Sequence, residues 1–100
     1  MLIMSTKEEV MKQMETVIDP ELGVNIVDLG LIYEVNLEGN KAEVKMTMTT
    51  PFCPVAPQII SSAKTVLQKM GLDGTVELVW SPPWTPEKMS EKARFELGMI

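Results

Sequence analysis

From Lys7 the apolar residues Val10, Met14, Val17 and Ile18 recur at helical spacing, and Ser5-x-x-Glu8 and Thr6-x-x-Glu9 form overlapping capping-box patterns ahead of them. The pattern predicts a first helix from about Lys7 to Ile18, ended by Pro20, whose ring disfavours the α conformation at Asp19. After an irregular segment, Asp19 to Leu29, the period changes to two. Leu31, Tyr33, Val35 and Leu37 alternate with polar neighbours, Glu38-Gly39-Asn40 interrupts, and Ala42, Val44, Met46 and Met48 alternate again. This predicts an antiparallel hairpin in which Gly39 and Asn40 supply the positive φ of the turn. One face is then buried, and the other, with Glu34, Asn36, Glu43, Lys45 and Thr47, is largely wet.

The helical period returns at Val55, with Ile59, Ala63, Val66, Leu67 and Met70 on one face and Gly71 as the stop. Thr75 to Trp80 reads as a third strand, brought back parallel by a right-handed crossover. Ser81-Pro82-Pro83-Trp84 cannot continue it, and Thr85 as N-cap with Pro86 at the first helical position predicts a short last helix closed by Gly98. The expected order is α-β-β-α-β-α. It describes one small α+β domain over residues 1–100, with a mixed sheet of three or slightly more strands and helices packed on one face.

Composition narrows the picture. A chain of 100 residues can bury a sizeable core without disulfides or a structural metal. Its single cysteine cannot form an internal disulfide and suits a reducing compartment. The opening residues Met1-Leu2-Ile3-Met4 lack the basic and long apolar regions of a secretion signal, and charges interrupt every later apolar run, so a cytoplasmic protein without membrane association is expected. A formal net charge of −5 with no Lys/Arg cluster disfavours nucleic-acid binding. Most of the nine methionines should pack the core, leaving a few for an adaptable partner surface.

The chemistry that remains converges on Cys53, in Thr49-Thr50-Pro51-Phe52-Cys53-Pro54 between a strand pattern and a helix pattern. A thiol at a helix N-terminus feels the positive end of the backbone dipole, which favours thiolate and soft-metal ligation. The alternative is a cysteine that fills space in the core. Thr49 and Thr50 end the second hairpin strand, which puts Cys53 at the carboxyl edge of the sheet, and Asp19, Glu21 and Asp28 could fold back toward it. Equally, Asp19 is a turn residue before proline, Asp28 caps a loop, and loop carboxylates are usually solvated. Trp84 is either a lid on the core or an exposed anchor for a partner. One soft ligand cannot hold a zinc ion or a cluster alone, so metal binding at Cys53 needs a second chain, a partner or a small thiol. With no histidine in the chain there is no ordinary base to activate the sulfur, and an enzyme is not expected.

The run Asp19-Pro20-Glu21-Leu22-Gly23-Val24-Asn25-Ile26-Val27-Asp28-Leu29-Gly30-Leu31-Ile32-Tyr33, followed by Met48-Thr49-Thr50-Pro51-Phe52-Cys53-Pro54, resembles the SufT/PaaD-type family of iron-sulfur (metal-sulfur) cluster assembly proteins. The tail Trp80-Ser81-Pro82-Pro83-Trp84 with Ser90, Arg94, Leu97 and Gly98 is similar to that family's C-terminal pattern. The resemblance implies a cytosolic maturation factor, acting as carrier, scaffold or adaptor, that helps deliver clusters to apoproteins. It implies iron-sulfur assembly proteins and client apoproteins as partners, and Asp19, Glu21, Leu22, Asp28, Thr49, Thr50 and Cys53 as the site; the count of one cysteine per chain adds a homodimer as one way to share a transient cluster between chains. The alternatives are an interaction module without metal, or an accessory factor for a metal-dependent oxygenase. The cysteine-rich zinc-binding extension of the phenylacetate-degradation branch is not in this sequence.

Overall fold

In a computed structural model that describes residues 6–50 and 54–99, each change of sequence period marks a change of element. Helix α1 spans Lys7–Met14 and is opened by Thr6, whose hydroxyl accepts from the Glu9 amide at 3.1 Å. Of the two overlapping caps, the one starting at Ser5 lies outside the described residues. The helix stops a turn earlier than its apolar spacing predicts. Thr16, Val17 and Ile18 are all β-branched; Thr16 bonds back to the Gln13 carbonyl, and pairing wins the other two: the Ile26 amide donates to the Val17 carbonyl, and strand β1, Ile18–Asp19, pairs antiparallel with β2, Val24–Asn25. Val17 is buried, while Ile18 turns outward.

The hairpin strands are β3, Ile32–Glu38, and β4, Lys41–Met46, joined by Gly39-Asn40. Only Gly39 has positive φ, 61°, as in a type II′ turn, so Asn40 does not take the left-handed role expected of it. Helix α2, Ala56–Lys69, buries Ile59, Ala63 and Leu67 along the predicted face. It ends in a Schellman motif: Gly71 (φ 78°) donates to the Gln68 carbonyl and Leu72 to that of Leu67, both at 3.0 Å. Strand β5 runs Asp73–Leu78, not Thr75 to Trp80, because the Asp73 amide already bonds Asn40 and the last ladder bond is Val79 to Met46. The sheet order is β3-β4-β5, with β4 and β5 parallel as a strand-helix-strand unit requires.

The observed order is therefore α-β-β-β-β-α-β-α, an α+β fold with two sheets, one of them the short β1-β2 pair that the apolar pattern did not reveal. Near the C-terminus Thr85 and Pro86 open only a single 3-10 turn, Pro86–Lys88, and the helix proper, α3, Glu91–Glu96, is capped by Ser90 accepting from Ala93. Gly98 ends it as predicted.

One core joins these elements, built from Val10 and Met14, the inner face of the sheet, Ile59, Ala63 and Leu67, and Ile26, Leu29 and Leu31. Met14, Met46, Met48 and Met89 lie in it, while Met99 is exposed. Thr47, expected on the wet face, is fully buried, and its hydroxyl has no hydrogen-bond partner among the described residues. Beyond Met46 the alternation fails because Met46, Thr47 and Met48 are buried in succession as the chain passes under Leu31, whose carbonyl accepts from Thr47 at 2.8 Å. Among the described residues no helix is long and apolar enough to cross a membrane.

Candidate functional site

Asp19 is the most buried of the candidate carboxylates. Its Oδ1 accepts the backbone amides of Glu21 at 2.8 Å and Leu22 at 3.3 Å, while its carbonyl accepts Gly23 at 2.7 Å. Pro20 holds the turn between them, so a buried acid satisfied by peptide N–H groups shapes the β1–β2 connection. Glu21 and Leu22 are carried outward on that turn, where Leu22 and Ile18 present exposed apolar side chains. The candidates Asp19, Glu21 and Leu22 are thus one structural unit, with Asp19 as its organiser.

Asp28 belongs to a second unit. The Asn25 side chain accepts from the Asp28 amide at 2.9 Å and donates to the Asp28 carboxylate at 2.8 Å, a reciprocal lock that rounds the loop leading into Gly30. The C-terminal segment then closes over this loop. Ser90 donates its amide to the Asp28 carbonyl at 2.7 Å, the Trp84 indole N–H donates to the Leu29 carbonyl at 2.7 Å, and the Tyr33 hydroxyl donates to the Pro82 carbonyl at 2.8 Å. Partial burial raises the Tyr33 pKa above the usual phenol value, and the Lys88 ammonium stands 5.0 Å from the centre of its ring. Gly30, at φ 75°, leaves no room: a Cβ there would run into the Lys88 carbonyl oxygen. Glu87 beside it has a lowered pKa, because its own backbone amide and then the Thr85 hydroxyl donate to its carboxylate.

Trp84 connects these loops to the third group. With Met48, Thr49, Thr50, Trp80 and Pro83 it lines a mostly apolar cavity of about 270 Å³. Its ring packs against the core and its N–H is taken by Leu29, so it acts as a lid, and the aromatic exposed at the cavity rim is Trp80. Two larger depressions, of about 800 and 840 Å³, lie on the open sheet face and between α1 and α2 and are lined by no candidate residue. Cys53, with Pro51 and Phe52, lies outside the described residues; among those described, no group of three or more His, Cys, Asp or Glu side chains is placed to hold a metal ion.

The two hydrogen-bonded loops and the Thr49–Thr50 cavity therefore sit on one continuous scaffold: Asp19 pairs with Val24 and Ile18 with Asn25 across β1–β2, Asn25 locks Asp28, and the Asp28 loop is tied through Trp84 to the threonines. The sequence profile described as iron-sulfur cluster assembly protein matches residues 7–78, which contain every candidate residue except Trp84. The chain belongs to this family. It is 45% identical over 96 residues to the Fe-S protein maturation auxiliary factor YitW of Bacillus subtilis, covering 93% of this chain and 94% of that protein. It is 50% identical over 86 residues to the Fe-S protein maturation auxiliary factor SufT of Staphylococcus aureus, covering 83% and 98% respectively. A solved structure of a domain of unknown function, DUF59, from Bacillus anthracis shares the fold with a TM-score of 0.88 at 44% identity, covering 94% of this chain and 92% of that one.

Within this family fold, the motif residues divide by physical role. Asn25, Gly30 and Ser90 shape the loops, yet only Asn25-x-x-Asp28 carries a local signal, the spacing of a reciprocal cap. Gly30 and Ser90 act across more than fifty residues of chain, which no local pattern exposes. Trp80 was readable as the end of a strand and as the first residue of the tail motif, neither of which places it at a cavity rim.

Proposed function

We propose that this chain is a non-catalytic cytoplasmic factor in iron-sulfur protein maturation, which takes a cluster as cargo and passes it to apoproteins. In this reading Cys53 supplies one thiolate, and a second chain or a partner assembly protein supplies the remaining ligands, because a cluster is usually held by about four cysteines. The observation that supports it is the coincidence of the family's sequence, residues 7–78, with the loops that build the site. Thr49 and Thr50, four and three residues ahead of Cys53 in sequence, wall an apolar cavity. Asp19 and Asp28, engaged by backbone and amide groups, keep that scaffold in shape and are not offered as cluster ligands. A second reading, an adaptor that docks a client without touching the cluster, draws on Trp80, 46% exposed at the cavity rim.

Anaerobic reconstitution of the pure protein with iron and sulfide separates the two. The carrier reading expects a labile cluster, no more than one per two chains, that is lost in Cys53→Ser while the melting temperature is kept. A cluster that survives Cys53→Ser places the ligands elsewhere. If the wild-type protein takes up no cluster and Cys53→Ser still restores an iron-sulfur enzyme in a strain lacking the gene, the adaptor reading replaces it.

A further inference from the structure

The open face of the three-stranded sheet carries charge in ordered rows. Across the register, Glu34 faces Lys45 and Lys45 faces Glu77; Glu38 faces Lys41 and Lys41 faces Asp73; Asn36, Glu43 and Thr75 form the row between. Each outer row reads acid, base, acid, and both end on an acid at β5. Lys45 reaches toward β3, with its ammonium 3.3 Å from the Glu34 carboxylate, and its pKa is raised, first by that hydrogen bond and charge and then by the fields of Glu77 and Glu43. Among the described residues no cation lies within ion-pair distance of Asp73 or Glu77.

The backbone of β5 ends the sheet at the same place. Asp73 and Val79 give their amides to Asn40 and Met46, so with the two-residue period of a strand the odd positions face β4. Gly74, Val76 and Leu78 therefore turn their N–H and C=O groups to the outer edge. Their Cα substituents point to the α2 side: a Cβ on Gly74 would run into Leu67, and Val76 and Leu78 are half-buried. The opposite edge is defended. Strand β3 has a register irregularity between Ile32 and Glu34, and Lys7 and Met11 of α1 flank it. Strand β5 is regular over six residues and contains no proline.

We propose that the outer edge of β5 is a docking site for one extended segment of a partner protein, added as a fourth strand. That segment carries two basic residues four positions apart, opposite Asp73 and Glu77, with apolar residues between them opposite Gly74 or Val76. Its main chain satisfies the outward groups of Gly74, Val76 and Leu78, its basic residues continue the rows of alternating charge, and its apolar residues cover the half-buried edge above α2. A second copy of this chain fits worse: antiparallel self-pairing centred on Thr75 sets Asp73 opposite Glu77, and pairing centred on Val76 sets them opposite Val79 and Thr75, so neither register gives the acids a cation.

The test uses the full chain and a capped, fluorescein-labelled heptapeptide in which two lysines four apart bracket valine, threonine, valine. The expected result is saturable binding that shifts the amide resonances of Gly74, Val76 and Leu78. Binding should weaken at least tenfold when glutamates replace the lysines, and at least tenfold for the Asp73→Lys/Glu77→Lys protein. N-methylation of the peptide amides that face β5 should abolish binding, while methylation of the alternate amides should leave it. If the double variant melts differently from the parent, the two peptide arms on the unmodified protein decide. Binding insensitive to N-methylation, shifts confined to other residues, or no binding at millimolar peptide overturns the proposal. So does sedimentation that shows a dimer whose formation shifts the same three amides, because the occupant is then a second copy.

Discussion

Replacing Gly30 by alanine tests whether the C-terminal segment truly clamps the Asp28 loop. Two costs follow from the structure. An L-residue held at φ 75° pays about 1–2 kcal/mol for the left-handed conformation. The new Cβ also meets the Lys88 carbonyl, a backbone group that cannot rotate aside, so Lys88 must retreat and take the nearby Ser90–Asp28 hydrogen bond with it, costing about another 0.5–1.5 kcal/mol. The sum is about 1.5–3.5 kcal/mol, a large part of the ~5–15 kcal/mol that holds a typical domain folded. It corresponds to a fall in Tm of order 10–20 °C for a chain of this size. Gly23→Ala is the control: its φ is 72°, but nothing lies within 4 Å of the added Cβ, so only the conformational cost applies. Urea unfolding of both variants, fitted with a common m-value, isolates the clamp as their difference, expected at about 0.5–1.5 kcal/mol. Equal destabilisation of the two variants would show that the tail does not bear on the loop, and the coupling of Asp28 to Trp84 would have to be abandoned.

Asp19→Ala leaves two inward-facing amides without their acceptor and should cost about 1–3 kcal/mol, while Asp19→Asn keeps an oxygen and should cost clearly less; equal losses by thermal melting would mean that charge, not turn geometry, is what Asp19 supplies. Trp84→Phe removes the donor to the Leu29 carbonyl and part of the lid, and should cost about 1–2 kcal/mol while releasing Thr49 and Thr50 resonances from their native shifts; unchanged shifts would separate the threonines from the lid. Stability should fall as the solution is made alkaline. The folded-state pKa values of Lys45 and Tyr33 are both raised, so what they contribute is present below the unfolded values, near ~10, and is lost as pH rises through the folded ones. Melts from pH 8 to 11 of Glu34→Gln and Tyr33→Phe should each show a shallower alkaline decline, and a slope identical to the parent's in both would remove this explanation.

Much of the fold was written in local pattern, because helix and strand faces are set by spacing a few residues apart. The Val55 to Met70 face, the Gly71 and Gly98 stops and the β3–β4 hairpin are all of this kind. The candidate segments, too, were visible as motifs, and all but that of Trp84 lie within residues 7–78, which match the family. What local pattern could not decide was every competition settled by a distant partner. Thr16-Val17-Ile18 carries a helical phase, but Ile26 claims Val17 for strand pairing. Thr47 follows the polar phase of β4, but the chain dives beneath Leu31 and buries it. Asp19 and Asp28 could have been a reactive rim or solvated loop residues. Tertiary structure makes them turn-builders, because a carboxylate drawn out of water must be satisfied, and the nearest donors are the amides of its own loop and the Asn25 side chain. Trp84 could have been an anchor or a lid, and what the sequence could not show is that its N–H is held by the Leu29 carbonyl with the ring packed against the core. Sequence by itself determined the long helices and strands and marked the candidate segments; tertiary structure added the β1-β2 pair and, through contacts across more than fifty residues, the packing of the tail on the Asp28 loop, because no local spacing reports a partner that far along the chain.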